Sequence, residues 1–435
     1  MVSEASVATG ASRIARVDFG RRIVLEHRVN LVNARDLLGP AIREHFAVPF
    51  VNTRIFPTLV GDRFVGPSSV RSVVMAMQEV KAPVAFEVAQ TEMKYCNVPP
   101  EAMVRHVTEE VAKAKLDYPI VIHFDHGADT KKMLANVAAG FTSIAYDGGK
   151  SGNPLTTGHL SAVGVDADKL LKDLVAAKVI KKDGAIKPTR DFAKFNEDLD
   201  KESIGYTAVQ RQQVFEVLQR IESENWGILI RNAQEWVQHA HPRGISVEGE
   251  METIGGQMAT DPVKAVDFLS KTGVDILVVA FLENEHGAVK GASKLDEGLL
   301  QEVRRITPAD VALNLHGGSG YTYPVMGRAV ELGISKLNYA TEVMRRMLEG
   351  TPFEQQLIQL AQLEKETDAK AKGKEAAKVG NVKDARDALK TLFTQPEWVH
   401  MGADLQRKME EAGAAEIVRV SRATGNVNTI RYYQV

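Results

Sequence analysis

Eight short apolar runs alternate with stretches of helical spacing along most of this 435-residue chain. The runs occupy 46–52, 82–89, 119–126, 141–147, 245–251, 275–281, 311–316 and 335–341. Between them, 67–77, 99–116, 129–139, 261–271, 295–306 and 323–332 carry apolar residues at helical period, several opened by proline or a capping side chain. A strand apolar along its length, rather than alternating, is one buried on both faces of a parallel sheet. Eight of them separated by helices point to a closed (β/α)8 TIM barrel. An open doubly wound sheet is the alternative, because strand number alone does not establish closure.

The remaining segments set the domain plan. Residues 1–32 form an N-terminal arm, with 16–27 a short strand or part of that arm, and the barrel occupies 33–150 and 232–350, opened by a helix at 33–45. Residues 151–231 interrupt it after the fourth strand, with a turn-rich loop at 151–159 and amphipathic helical stretches at 166–182, 188–199 and 207–223. An insertion at that place stands beside the barrel mouth, as a lid or as an oligomer contact. In the C-terminal extension, 351–435, helices at 353–367 and 384–393 flank a lysine-rich linker, and 427–433 reads as a terminal strand.

Lys+Arg 54 against Asp+Glu 56 leaves a formal charge of −2, with no basic face interleaved with aromatics, so nucleic acid is not an expected partner. No apolar run approaches the ~20 residues of a membrane span. Residues 1–15 lack a signal peptide's apolar segment. The single Cys96 excludes an internal disulfide and thiolate-rich zinc sites. The expectation is a cytoplasmic protein.

Polar residues in the apolar runs gather towards one end. Asp125 and His126 close the third strand, Asp147 the fourth and His316 the seventh; Glu248 and Glu250 lie on the fifth, His286 follows the sixth, and Asn338 lies on the eighth. His123 and Asp125 share a strand face, while His126 points the other way or sits on the turn. Barrel chemistry belongs to the C-terminal ends of the strands. Singly, each histidine reads as a core residue; on one rim, His126, His286 and His316 make a neutral donor set that a catalytic zinc accepts while keeping a position for substrate. Gly287 and the run Gly317-Gly-Ser-Gly320 follow two of them, so backbone amides and the Ser319 hydroxyl can approach an anion. Lys290 and Lys336 are charge partners for it, or surface lysines.

Taken in order, His123-Phe-Asp-His-Gly127, Gly140-Phe-Thr-Ser-Ile-Ala-Tyr-Asp-Gly148, Val247-Glu-Gly-Glu-Met-Glu-Thr-Ile-Gly-Gly256, Glu285-His-Gly287, Leu315-His-Gly-Gly-Ser-Gly320 and Lys336-Leu-Asn338 resemble the motif series of the class II, zinc-dependent ketose-bisphosphate aldolases, typified by fructose-1,6-bisphosphate aldolase. The likeness runs from 46 to 342 and leaves out the insertion and the tail. It implies zinc on His126, His286 and His316, with Glu250 able to bind metal in an alternative position and a second divalent or monovalent cation as a further expectation. It also implies that Asp125 shuttles the hydroxyl proton of the carbon losing its bond, that Asn338 binds substrate oxygens, and that Gly287, Gly317, Ser319 and Thr341 hold the phosphate. The implied activity is cleavage of a phosphorylated ketose by a homo-oligomer, with fructose 1,6-bisphosphate giving dihydroxyacetone phosphate and glyceraldehyde 3-phosphate. An aldolase for another ketose phosphate or sugar acid, and a non-catalytic metal-binding barrel serving regulation or assembly, are the competing functions. The chain departs from the pattern at Met258, where a mobile-loop glutamate is expected, leaving Glu252, Glu283 and Glu285 as replacements. It departs again at Ala340, in place of an aspartate, and at Leu282-Glu-Asn284. These changes bear on the substrate more than on the metal.

Overall fold

The computed structural model describes residues 29–61, 63–96, 98–150, 152–181, 184, 186, 191–252, 259–283, 290–371, 375–382 and 384–433. Eight parallel strands follow one another around a closed barrel: β1 (Val48–Asn52), β2 (Ala85–Ala89), β3 (Ile122–Gly127), β4 (Ser143–Asp147), β5 (Ser246–Glu250), β6 (Ile276–Val279), β7 (Ala312–Leu315) and β8 (Ile334–Tyr339). β8 pairs back onto β1, which decides against the open sheet. Each strand lies within its expected run or extends beyond it by one residue. The expected strand at 16–27 lies outside the described residues.

Helices Ser69–Val80, Pro100–Lys113, Thr130–Ala139, Pro262–Thr272, Glu297–Ile306 and Tyr323–Glu331 occupy the predicted connections. Ser68, Asp129, Asp261 and Asp296 start four of them by accepting backbone N–H groups at the first turn, each worth about 1 kcal/mol. The helix Ala34–Glu44 plugs the other end of the barrel. Its Ala34, Leu37, Leu38 and Ala41 pack among Val48, Ala85, Val121, Ile276 and Ala312 at the strand starts. With that end sealed, the C-terminal rim is the one left for chemistry.

By internal contacts the chain divides into two units, 1–147 with 236–435, and 148–235. The second has its own core, including Leu160, Leu170, Leu174, Phe195, Leu199 and Leu218. The third helix of this region does not stop at 223 as expected but runs as Ala208–Ala240. Its buried stripe continues through Leu229, Ile230, Ala233, Trp236 and Ala240, a helical spacing that extends the apolar face. No described helix is long and apolar enough to cross a membrane.

The C-terminal extension is mainly helical, as expected, but its individual elements differ from those read. Pro352–Ala371 is helical, the next expected helix shortens to Leu389–Leu392, and a 21-residue helix, Ala403–Ala423, occupies a stretch where none was read. That helix packs on Ser69–Val80 and Thr341–Leu348. A Cβ on its Gly413 would lie 2.7 Å from Ser72 Oγ and 2.8 Å from Met347 Cγ, so the glycine sets how closely the helices approach. The expected strand at 427–433 is instead a 3-10 turn, Thr429–Tyr432, entered through Asn428 at φ 56°. Tyr433 donates its hydroxyl to the carbonyl of Leu37, 2.8 Å away, instead of pairing in a sheet. Ile417, fully buried on this helix, tests its place in the core. Ile417→Ala should cost about 2–5 kcal/mol in urea unfolding; a loss below about 0.5 kcal/mol would make the tail peripheral.

Candidate active site

Side chains pointing into a barrel recur at every second residue of a strand. Here successive inward positions are polar. Glu87 on β2, His123 on β3, Glu248 on β5, Asn314 on β7 and Lys336 on β8 are all 0% exposed. Asp125, Glu250, His316 and Asn338 stand two residues further along four of the same chain segments, towards the C-terminal rim.

The inner set is held by one cation. Lys336 Nζ lies 2.6 Å from Glu248 Oε2 and 3.4 Å from Glu87 Oε2, and 4.5 Å from the centre of the Phe50 ring. Burial works against its charge, but Glu248, Glu87 and Asp125 outweigh burial and raise its pKa. Burial likewise disfavours an ionised Glu248, yet Lys336 and His316 hold its carboxyl below the usual range. Lys336 is therefore neither a surface lysine nor an anion's partner at the rim. Lys290 is also committed, 2.9 Å from Glu416 Oε1 and 3.7 Å over the Tyr323 ring.

That ion pair fixes the groups above it. His316 Nε2 is 2.9 Å from Glu248 Oε1. An ionised carboxylate only accepts, so Nε2 carries a proton, and Nδ1, 3.7 Å from Glu250 Oε2, is the ring nitrogen left to meet a metal. Asn314 Nδ2 donates to Glu248 Oε1 and to Asn338 Oδ1, both at 2.9 Å. Asn338 is left presenting Nδ2, which is buried without a hydrogen-bond partner among the described residues.

His126 has φ 54°, a left-handed conformation that costs a non-glycine residue about 1–3 kcal/mol. The β3–β4 register slips between Phe124 and Gly127 at the same place. On a regular strand His126 would face away from Asp125; through this kink both serve one rim, as the turn alternative had it. His126 Nε2 is 3.5 Å from Asp125 Oδ2, and Nδ1 is 3.2 Å from both Asp147 Oδ2 and Glu250 Oε2. Its ring stands at 86° to that of His316, with centroids 5.0 Å apart. Gly127 allows the kink to pack, since a Cβ there would come within 2.4 Å of Trp236 and 2.5 Å of Phe124.

Donor atoms of Asp125, His126 and His316 lie within 4.8 Å of one another, as do those of His126, Asp147 and Glu250. Mixed imidazole and carboxylate donors suit zinc, and the residues present fit it. Burial disfavours a protonated His126, but Asp125 and Glu250 prevail and raise its pKa; a divalent ion competes for the same place. Glu87, His123 and Asp125 also cluster. There the Lys336 ammonium, 3.4 Å from both Glu87 Oε2 and His123 Nε2, already supplies the positive charge. His286 and Gly287 lie outside the described residues.

Asp125 is ionised. Burial opposes its charge, but His126, His316, Lys336 and His123 hold its carboxyl well below the ordinary range. Glu87 is its counterpart, pushed up by burial and by the charge of Asp125. Asn52 bridges the two, its Nδ2 donating to Glu87 Oε1 at 2.8 Å and to Asp125 Oδ2 at 3.2 Å. The other oxygen, Asp125 Oδ1, is buried without a hydrogen-bond partner among the described residues. Neither Asn52 nor Glu87 is among the candidate residues read from the sequence.

At the rim, Gly317 at φ 67° opens the 3-10 turn Gly318–Gly320. Ser319 Oγ accepts the backbone N–H groups of Ala340 (3.3 Å) and Glu342 (3.2 Å), and Thr341 Oγ1 accepts from Arg54 Nη1 (2.8 Å). Arg54 was not singled out in the sequence either. Of the acids considered in place of a mobile-loop glutamate, Glu252 is buried, accepts from Thr260 Oγ1 at 3.2 Å and is pushed by burial to a pKa of about 7. Glu283 is exposed and paired with Lys294 at 2.7 Å, and Glu285, like Met258, lies outside the described residues.

The family model described as "Fructose-bisphosphate aldolase class-II" matches residues 32–153 and 225–412, leaving out most of the unit 148–235. The chain belongs to the class II fructose-bisphosphate aldolase family. This aldolase, a lyase by class, is 24% identical over 323 residues to the fructose-bisphosphate aldolase of Geobacillus stearothermophilus, covering 72% of this chain and 82% of that one. It is 25% identical over 281 residues to that of Staphylococcus epidermidis, covering 62% and 71%. In fold it is similar to the YdjI aldolase of Escherichia coli K12, with a TM-score of 0.50 at 19% identity over 91% of this chain and 98% of that one.

Two outcomes follow from the buried network of this aldolase. Glu248→Gln removes the charge that fixes His316 and should weaken zinc binding about 10- to 100-fold in chelator competition; unchanged affinity would contradict that role. His123 is lowered to a pKa of about 3, by burial first and then by Lys336, whereas the unfolded side chain titrates near ~6.5. Between those values the unfolded chain binds the extra proton, so stability falls as pH drops from about 6.5 towards 3. His123→Gln should flatten that limb in urea midpoints taken across pH; an unchanged slope would mean that His123 is not a buried neutral ring.

Proposed function

We propose that this aldolase is zinc-dependent and cleaves a phosphorylated ketose, with fructose 1,6-bisphosphate yielding dihydroxyacetone phosphate and glyceraldehyde 3-phosphate as the first substrate to test. The observation that carries the reading is the Asp125 carboxylate set 3.5 Å from His126 Nε2, with donor atoms of Asp125, His126 and His316 all within 4.8 Å of one another. His126, His286 and His316 would hold the metal, with Glu250 as an alternative ligand. Zinc bound there supplies a Lewis acid that polarises the substrate carbonyl and stabilises the negative charge developing beside it.

Asp125 takes the proton from the hydroxyl on the carbon that loses its bond. That carbon departs as an aldehyde, and the electron pair of the broken bond stays with the fragment next to the carbonyl. Asn338 offers its Nδ2 to a substrate oxygen, an orientation set by Asn314. A proton must then return to the carbon fragment. Glu252 is the described acid suited to that step, because a pKa near 7 matches a group that gains and loses protons at neutral pH. Gly287, Gly317, Ser319 and Thr341 hold the phosphate. Ala340, in place of an acid near the phosphate end, is the reason to compare other ketose phosphates by kcat/KM.

The test is a coupled assay for triose phosphate release. Turnover should vanish with EDTA and return with zinc. Asp125→Ala should lower kcat by about 10²- to 10⁴-fold with zinc content unchanged, whereas His126→Ala should lose the zinc itself. Full turnover in either variant, or in EDTA, would refute the proposal.

A further inference from the structure

Of the two lysines that the sequence offers for a phosphate, Lys336 is sealed inside the barrel at 0% exposure against Glu248 and Glu87, and Lys290 is held by Glu416. A third cation stands at the rim. The closing seam of the barrel pairs Phe50 with Asn338 and Val51 with Tyr339, so the residues that follow β1 meet those that follow β8. There Arg54 Nη1 donates to Thr341 Oγ1 at 2.8 Å, across 287 positions of sequence. Its orientation is set from behind. Arg54 Nε donates to Glu92 Oε1 at 3.1 Å, while Glu92 Oε2 accepts the Ala89 N–H at 2.7 Å. Both side chains are largely buried, at 11% and 6% exposure, so the ion pair is shielded from water and the guanidinium is held in one plane.

We infer that Arg54 is the residue that selects a phosphorylated substrate, its guanidinium taking the phosphoryl oxygens beside Thr341 and Ser319, with Glu92 as the positioning residue behind it. This rests on the aldolase reading above. The choice of a phosphoryl group follows from the arrangement of the donors: the guanidinium and the Thr341 hydroxyl meet at 2.8 Å beside the Ser319 turn, a convergence suited to the tetrahedral oxygens of a phosphoryl group, and D-glycerate is the control because a guanidinium also takes a carboxylate. Because the phosphate does not react, losing its contacts removes binding common to ground and transition states. The expected signature is a raised KM with kcat little changed.

The test titrates inorganic phosphate, dihydroxyacetone phosphate and D-glycerate by calorimetry into zinc-loaded wild type, Arg54→Lys and Arg54→Met. Since Arg54→Met strands the Glu92 carboxylate, the double variant Arg54→Met with Glu92→Gln is measured alongside. The inference expects Kd for both phosphate probes to rise about 10- to 100-fold in the methionine variants and less in Arg54→Lys, with zinc content unchanged and KM for the ketose phosphate rising in parallel. Unchanged phosphate Kd in the double variant overturns it, as does a wild type that binds neither phosphate probe or binds D-glycerate as tightly. The aldolase reading fails separately, if wild type releases no triose phosphate from any ketose phosphate. A wild type that turns over while Arg54→Met binds phosphate normally would sink the role of Arg54 alone.

Discussion

An ammonium sealed inside the barrel is what the site stands on. Lys336 sits at 0% exposure against Glu248 and Glu87, which are equally buried. Removing one partner of such a pair leaves the other charge stranded at a cost of about 3–5 kcal/mol, so the arrangement holds as a set. Its consequences run upwards. Glu248 stays ionised and accepts a hydrogen bond from His316 Nε2–H, which leaves Nδ1 as the nitrogen to meet a metal; through Asn314 the same carboxylate turns the amide of Asn338 outward. One ion pair thereby sets the tautomer of a proposed ligand and the rotamer of a proposed substrate contact.

The upper set has the opposite balance. Asp125, Asp147 and Glu250 surround His126. Carboxylates packed this closely in a site of reduced dielectric repel one another unless a cation is shared. A divalent ion there would serve both needs, neutralising the acids and leaving Asp125 ionised for its proposed role as a base. The strained φ of His126 belongs to the same logic, because the kink brings two consecutive residues of β3 to one rim.

The barrel was legible because its eight strands are short apolar runs with polar ends, a pattern that period and position reveal without tertiary knowledge. Asp125, His126, Glu250 and His316 were legible for the same reason, as acids and imidazoles where apolar side chains belong. Lys336 was misread because a lysine is normally a surface residue, and only the inward face of β8 together with buried acids on β2 and β5 reverses that expectation. Arg54 carried no local signal; its partners Glu92 and Thr341 come from distant parts of the chain. Two readings in the tail failed for separate reasons. The helix Ala403–Ala423 is rich in charge and alanine and packs through small residues such as Gly413, which leaves a weak apolar stripe. The Val427–Tyr433 stretch has the aromatic content of a strand but turns at Asn428 and spends its last tyrosine on Leu37.

The most direct measurement is anomalous diffraction at the zinc edge from crystals of the zinc-loaded protein. The account predicts one ion at the C-terminal rim, with nitrogen ligands from His126 and from Nδ1 of His316 at about 2.0–2.1 Å, while His316 Nε2 still faces Glu248. Zinc lodged in the Glu87 and His123 cluster, or bound at the rim through Nε2 of His316 with Glu248 turned away, would contradict it.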